Sequence, residues 1–391
     1  MSFRNLYDIA DRFLPESLDW MAYLVAGGIL AFVVINAMVM STAAYTLFER
    51  RLIGRFQSRL GPNRWGPFGM FQPFADIIKL ILKEDIAPTV ADKIVFTISP
   101  VVFLVPVLVA VSVLPLGDGS FLGTLNVALV FIIAVTGMHI IGVFMAGWAS
   151  RNKYALFGAM RGVAMLVSYE VPMAMSLVAV VLLSGTMSTL GIVQGQHLPY
   201  ILVMPLGFFV FFTATLAEMS RAPFDMIEAE SELGSGYNTE YSGMKFALFQ
   251  LAEFMAPLAN GAIVTVLFLG GTKGPIISGP WWFVLKVVAF AFVIVWTRST
   301  WPRLRVDQIM TFSWKGLFPL SMINLALVTV EYFVLQDAVG ALTLGDQAIM
   351  ALINIPVTFV AIYVIGNLSG QKRDRTVPVP SPLARMAAEA D

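Results

Sequence analysis

The chain has 391 residues, 58% hydrophobic and only 13% charged, against about 25% charged in an average soluble domain. Twenty-five basic and twenty-five acidic residues cancel, which leaves no electrostatic footprint for nucleic acid. The lack of cysteine excludes disulfides, thiolate metal sites and iron–sulfur clusters held by this chain, and two histidines far apart, His139 and His197, argue against haem or a His-rich metal site.

Residues 1–19 carry charges of both signs, and the apolar run after them is too long for a signal peptide. It reads as an uncleaved first span. A helix crossing roughly 30 Å of hydrocarbon needs about 20 mostly apolar residues. Nine segments qualify: 20–47, 95–115, 124–147, 161–184, 200–219, 245–270, 281–301, 317–336 and 348–367. Lys and Arg resist translocation. With the loop after the first span taken as cytoplasmic, 21 cations fall inside and 3 outside, with Lys286 within a span. The N-terminus is therefore predicted outside and the C-terminus inside.

In the loop 48–94, Phe74, Ile77, Ile78, Ile81 and Leu82 share one helical face, while Asp76, Lys79 and Lys83 share the other. Pro73 stands where a helix would begin. This predicts an amphipathic helix at about 70–84 lying in the interface plane, rather than one packed on a soluble partner. The fold predicted is thus an all-α integral membrane protein with about nine transmembrane helices. Residues 1–367 make a single polytopic domain, with an acidic cytoplasmic loop over 219–245 and a disordered, proline-bearing tail over 368–391.

The acidic loop holds the densest chemistry. Glu218, Asp225, Glu228, Glu230, Glu232 and Glu240 stand there against Arg221 and Lys245. Glu228 and Glu232 would share a helical face, whereas a turning backbone lets Glu230 join them. Crowded carboxylates cannot all ionise, so some must have raised pKa values and exchange protons near neutral pH. A solvated acidic loop is the bland alternative. Against it stand the apolar Phe224, Met226, Ile227, Leu233 and Tyr237, and the break in the positive-inside trend. Glu170 and Glu253 lie about a third of the way into the fourth and sixth spans, where a charge must be protonated, paired or hydrated. His139, in mid-span, reads first as a residue hydrogen-bonding a neighbouring helix and second as a proton relay. Two further groups are basic: Glu49-Arg-Arg51 with Arg55, Arg59 and Gly61-Pro-Asn-Arg64, then Trp301-Pro-Arg303-Leu-Arg305-Val-Asp307. The first can anchor topology or contact lipid headgroups, and the second can pair with the acidic loop.

These motifs together resemble one family. Glu49-Arg-Arg, Arg59-Leu-Gly-Pro-Asn-Arg-Trp-Gly-Pro, Ala75-Asp76, Lys79 and Lys83-Glu84 look like the segment after the first span of the H subunit of NADH-quinone oxidoreductase, respiratory complex I. Gly147-Trp, Asn152-Lys-Tyr, Arg161 and Ser168-Tyr-Glu170 are similar to a second signature. Arg221-Ala-Pro-Phe-Asp225, Glu228-Ala-Glu-Ser-Glu232, Tyr237-Asn-Thr-Glu-Tyr241 and Leu251-Ala-Glu253 look like the most distinctive one, and Trp301-Pro-Arg303 resembles the motif before the eighth span. The matches run in order over roughly residues 30–340; Ala229, Gly234 and Phe254 are small departures.

The resemblance implies a quinone tunnel whose mouth is lined by Glu49, Arg50, Arg59, Asp76 and Lys79, with Arg221, Arg303, Arg305 and Asp307 bracing the cavity. It implies that Glu170, Glu218, Asp225, Glu228, Glu230, Glu232, Glu240 and Glu253 form an acidic funnel toward the hydrated axis of the membrane. Quinone would be the shared substrate. FMN and iron–sulfur clusters would sit on partner subunits, two soluble ones closing the quinone site, with further membrane subunits alongside in a bacterial cell membrane. No catalytic group and no metal is expected in this chain. A homologous subunit of a pump driven by hydrogen, ferredoxin or F420 is the nearest alternative. A free-standing ion transporter would need internal repeats and a mid-membrane site, and an inert scaffold would not keep buried acids.

Overall fold

Hydrocarbon offers no partner to a free N–H or C=O, so long apolar runs become helices that satisfy their own backbone. The computed structural model of the chain describes residues 19–115, 125–227, 232, 234–274, 278–335 and 342–370. Its helices are α1 (Asp19–Phe56), α2 (Gln72–Leu82), α3 (Lys93–Ser112), α4 (Ala128–Ala149), α5 (Lys153–Ser184), α6 (Thr189–Gly195), α7 (Tyr200–Val203), α8 (Pro205–Glu218), α9 (Gly243–Phe268), α10 (Pro280–Thr300), α11 (Val306–Phe312), α12 (Phe318–Leu335) and α13 (Leu344–Gly370). A π-helical turn, Ser313–Leu317, joins α11 to α12. The described residues contain no strand.

Among the described residues, eight helices are long and apolar enough to cross a membrane, with α11 to α12 counting as one. The predicted fifth segment differs. Pro205 disfavours helical dihedrals at the residue before it. Met204 accordingly turns at φ −134° and ψ 71°, and the segment splits into the four-residue α7 and the 14-residue α8. At about 1.5 Å per residue, α8 spans roughly 21 Å, short of a full crossing.

The first span also differs. Its apolar run predicts a stop at 47, but α1 runs on to Phe56, so Glu49, Arg50, Arg51 and Arg55 are helical rather than in a loop. No glycine or proline interrupts 47–53, and Leu52 and Ile53 pack beside Tyr45, Ala291 and Val295, which keeps the helix going. The amphipathic helix forms as α2, with Pro73 in its first turn and Phe74, Ile77, Ile78 and Ile81 exposed.

Helices α5 and α9 are the most buried spans, at 56% and 72% of their apolar windows, whereas α1 is only 6% buried. The core therefore lies around α5 and α9, where Phe96, Phe103, Leu166, Tyr169, Phe211 and Phe249 interlock. Residues 371–391, most of the predicted disordered tail, lie outside the described residues.

Candidate functional site

The described residues of the segment from Met219 to Ser242 are partly buried. Phe224, Met226, Ile227, Tyr237 and Tyr241 are buried within it. Its return leg crosses α5 backbone to backbone: a Cβ on Gly158 would lie 2.9 Å from Gly236 Cα, so only glycine permits this approach. Farther on, Tyr241 stacks on Phe96 at 4.0 Å and shares a 2.7 Å hydrogen bond with Ser99. Burial pushes the Tyr241 phenol up to about 12, with the contacts to Ser99 and Ser150 pulling the other way. The described parts of the loop are thus bound to α3 and α5.

Two of these carboxylates meet partners from α5 and its cap. Glu232 pairs with Arg161 at 2.6 Å and stands 3.5 Å from Arg303, and Glu240 accepts from Asn152 Nδ2 at 2.7 Å. Glu228 and Glu230 lie outside the described residues. Asp225 is half-buried beside Phe224. Arg303 also donates to Met226 Sδ at 3.6 Å, which ties the segment after α10 to the loop. Arg305 and Asp307 pair at 3.4 Å but are 81% and 70% exposed, so they stay at the surface.

The predicted tunnel-mouth residues divide into two groups. Glu49 is 2% exposed; it pairs with Arg298 and stands 3.6 Å from Arg221 Nη1. Arg221 also donates to the Glu253 carbonyl at 3.2 Å and lies over the Phe254 ring at 5.0 Å. This clamp joins α1, α9 and α10 at the basic end of the bundle. Next to it along α1, Arg50 pairs with Asp76 at 2.5 Å and Gln72 donates to the same carboxylate at 3.2 Å, fastening α2 to α1. Arg59 instead donates to Gln57 at 2.8 Å and Lys79 is exposed; neither joins the pair.

Deeper in the bundle, the acids line up behind aromatic rings. Tyr237 donates to Glu253 Oε1 at 3.3 Å, and its ring lies 5.9 Å from that of Phe103. Phe103 in turn contacts the His139 ring at 4.1 Å. His139, Thr136 and Glu218 line two neighbouring cavities. One, of about 30 Å³, continues to Asn260 on α9; the other, of about 10 Å³, continues to Glu170 and Tyr169 on α5. A water needs about 10–15 Å³ measured this way and at least two polar partners, so the first cavity has room for water and the second borders on it. The Thr136 hydroxyl donates to the Ile133 carbonyl at 3.1 Å and stands beside the Glu218 carboxyl, and Glu170 lies near enough for its charge to act on Glu218. A Cβ on Gly137 would stand 3.1 Å from Glu170 Oε1, so the carboxyl rests against α4. Among the described residues, neither Glu170 nor Glu218 pairs with a lysine or arginine.

Sequence reasoning leaves out four of these participants as site residues. Arg298 and Arg161 count there only as topology signals or motif members, Asn152 only as a motif member, and Thr136 gives no signal. Its place beside Glu218 depends on helix rotation. His139 reads from sequence mainly as a structural group, yet it borders both cavities. No cluster able to hold a metal occurs among the described residues.

A family model described as NADH dehydrogenase matches residues 29–329. The chain is 46% identical to the NADH-quinone oxidoreductase H subunit of Dehalococcoides mccartyi over 347 residues, covering 89% of this chain and 96% of that protein. It is 46% identical to the corresponding protein of Brevibacillus brevis over 310 residues, covering 77% and 92%. With that of Geobacillus kaustophilus it shares 43% over 328 residues, covering 82% and 98%.

Proposed function

The chain belongs to the NADH dehydrogenase family as the H-type membrane subunit of NADH-quinone oxidoreductase, and we propose that it couples quinone chemistry at its basic end to proton movement in its core. As a multi-pass membrane subunit of complex I it works with other subunits of that enzyme. It supplies no cysteine to hold an iron–sulfur cluster; on this reading FMN and the clusters belong to partner subunits. The basic side faces the cytoplasm, where two soluble subunits close the quinone site.

The quinone path enters between α1 and α2. Arg50, Asp76 and Gln72 hold these two helices together, and the exposed apolar face of α2 is suited to an isoprenoid tail arriving from lipid. The Glu49–Arg298–Arg221 clamp stands inward of this mouth and connects by Arg221 to Glu253. A change of charge at the quinone head would reach the Glu253 main chain through the Glu49–Arg221 pair and the Arg221 hydrogen bond to the Glu253 carbonyl. From Glu253 the line runs through Tyr237 and the Phe103 ring to His139, Glu218 and Glu170.

The observation that carries this reading is the pair of cavities sharing Thr136, His139 and Glu218 inside the helix bundle. Carboxyls beside hydrated cavities, met by neutral donors, take up and release protons more readily than carboxylates locked in ion pairs. Glu218→Gln keeps the size and hydrogen bonding of the side chain but removes the proton site. In the assembled complex it should lower quinone-linked turnover and proton pumping together, while donor oxidation by an artificial acceptor survives. Full pumping with Glu218→Gln would overturn the reading.

A further inference from the structure

The other acid buried among the spans lies away from this line. Glu331 sits on α12, 8% exposed, on the same buried face as Ser321, Asn324 and Val328. It stands one turn from the end of α12, at the end of the bundle opposite the basic loops. Asn354, on α13 and 5% exposed, donates its amide nitrogen to Glu331 Oε2 at 2.7 Å. The same nitrogen donates to the carbonyl of Val203 at 2.9 Å. That carbonyl sits just before the α7–α8 break, where the chain departs from helical geometry at Met204. Both amide hydrogens of Asn354 are thereby used. Glu331 Oε1 is buried with no hydrogen-bond partner.

The described surroundings supply no compensating charge. α13 contributes the neutral Asn354 and the broken segment contributes a carbonyl. Among the described residues no Lys, Arg or His pairs with Glu331. Asp346, the acid at the start of α13, is occupied by Thr343 at 2.6 Å. An ionised carboxylate here would have one neutral donor and one bare oxygen, which a membrane interior strongly disfavours. A bound monovalent metal ion is a poorer fit, because it needs several oxygens and the Val203 carbonyl already accepts from Asn354. A proton needs only the free oxygen.

We propose that Glu331, held by Asn354 against the α7–α8 break, is a second proton-binding site of this subunit, independent of the Glu218 line and placed to exchange with the water on the opposite side of the membrane. The resting site holds its proton as a neutral carboxylic acid. In turnover it passes that proton to, or takes one from, the aqueous phase beyond the end of α12.

The test uses the intact purified complex in lipid. Infrared spectra of wild type minus Glu331→Gln, in water and deuterium oxide at neutral pH, should contain the carbonyl stretch of one protonated carboxylic acid that shifts on deuteration. Gln keeps the bond from Asn354, so the bundle should assemble. The band should fade as pH rises and remain unchanged by sodium at fixed pH. Asn354→Leu removes the donor that favours the anion, so its band should persist to higher pH. A second measurement needs no variant: a hydrophobic carbodiimide, which reacts with neutral carboxyls, should label Glu331 in the native complex at neutral pH and less at alkaline pH. Absence of both the band and the label would overturn the proposal, as would a band that follows sodium rather than pH. The same spectra of Glu218→Gln report on the other line separately, so failure of one reading does not carry the other with it.

Discussion

Replacing Glu49 by Gln should destabilise this chain far more than removing a typical ion-pair partner. Glu49 is 2% exposed and faces two cations, Arg298 and Arg221, whose side chains are 33% and 8% exposed. Breaking a buried pair by removing one member leaves an unpaired charge and costs about 3–5 kcal/mol. Here the burden falls mainly on Arg221, since Arg298 can turn toward water, and Arg221 keeps its contacts with the Glu253 carbonyl and the Phe254 ring. These retained contacts place the expected loss near the low end of that range, at about 3 kcal/mol. Arg305→Ala is the control. Its pair with Asp307 is 81% and 70% exposed, and such pairs contribute about 0–1 kcal/mol. Unfolding of the purified chain in mixed micelles by dodecyl sulfate, followed by tryptophan fluorescence, compares the two. Glu49→Gln should move the midpoint well below that of Arg305→Ala, and Glu49→Gln with Arg298→Gln should cost less than the sum of the two. Equal midpoints for Glu49→Gln and Arg305→Ala would refute the clamp.

Gly158→Ala should push the loop off α5, because its Cβ would meet Gly236 Cα at 2.9 Å. Overpacking of this kind costs about 1–3 kcal/mol, and protease cleavage between Met219 and Ser242 should accelerate. Tyr241 titrates at about 12 in the folded chain, above its ordinary 10. Its stabilising contribution is therefore complete below pH 10 and lost as pH rises toward 12. Tyr241→Phe should lower the melting temperature at pH 8 by the loss of the Ser99 bond, worth about 1 kcal/mol, yet flatten the further fall at alkaline pH. An unchanged alkaline slope would count against burial of the phenol. Asp76→Asn should loosen α2 from Arg50 and alter apparent quinone affinity, with artificial electron transfer in the soluble arm intact. Loss of that activity as well would signal an assembly defect instead.

The spans are legible in the sequence because crossing hydrocarbon imposes a length and a composition on contiguous residues, and the acids because they are rare within such runs. What the sequence conceals is how the helices face one another. Glu49 and Arg298 are 249 residues apart, Asn152 and Glu240 are 88 apart, and neither spacing hints at contact. The rotation of each helix decides these pairs, and helices as uniformly apolar as α3, α4 and α9 carry little periodic signal to fix it. Local rules do better where backbone sterics act. Pro205 marks the break in the fifth segment, although a count of apolar residues alone runs straight through it. By contrast, charge misleads at Glu49-Arg-Arg51: a charged run at the end of an apolar stretch suggests a loop, but packing of Leu52 and Ile53 extends the helix beneath it.

The carboxyls of this chain are kept in two chemically different ways, and the difference maps onto position. Glu49, Asp76 and Glu232, at the basic end, each meet an arginine in an ion pair. Glu218 and Glu170, inside the bundle, meet a threonine hydroxyl, cavities and each other. Arginine cannot be deprotonated in a protein, so each pair at the basic end keeps its cation; a carboxyl met by neutral groups can change its protonation at little structural cost. Tyr237 and Glu253 stand at the boundary, joined on one side to the arginine clamp through Arg221 and on the other to Phe103 and His139. On the proposed reading, an event at the basic end enters as a shift of fixed charge and leaves as a shift of protons, and Glu253, where the two kinds of carboxyl adjoin, is the place proposed for that conversion.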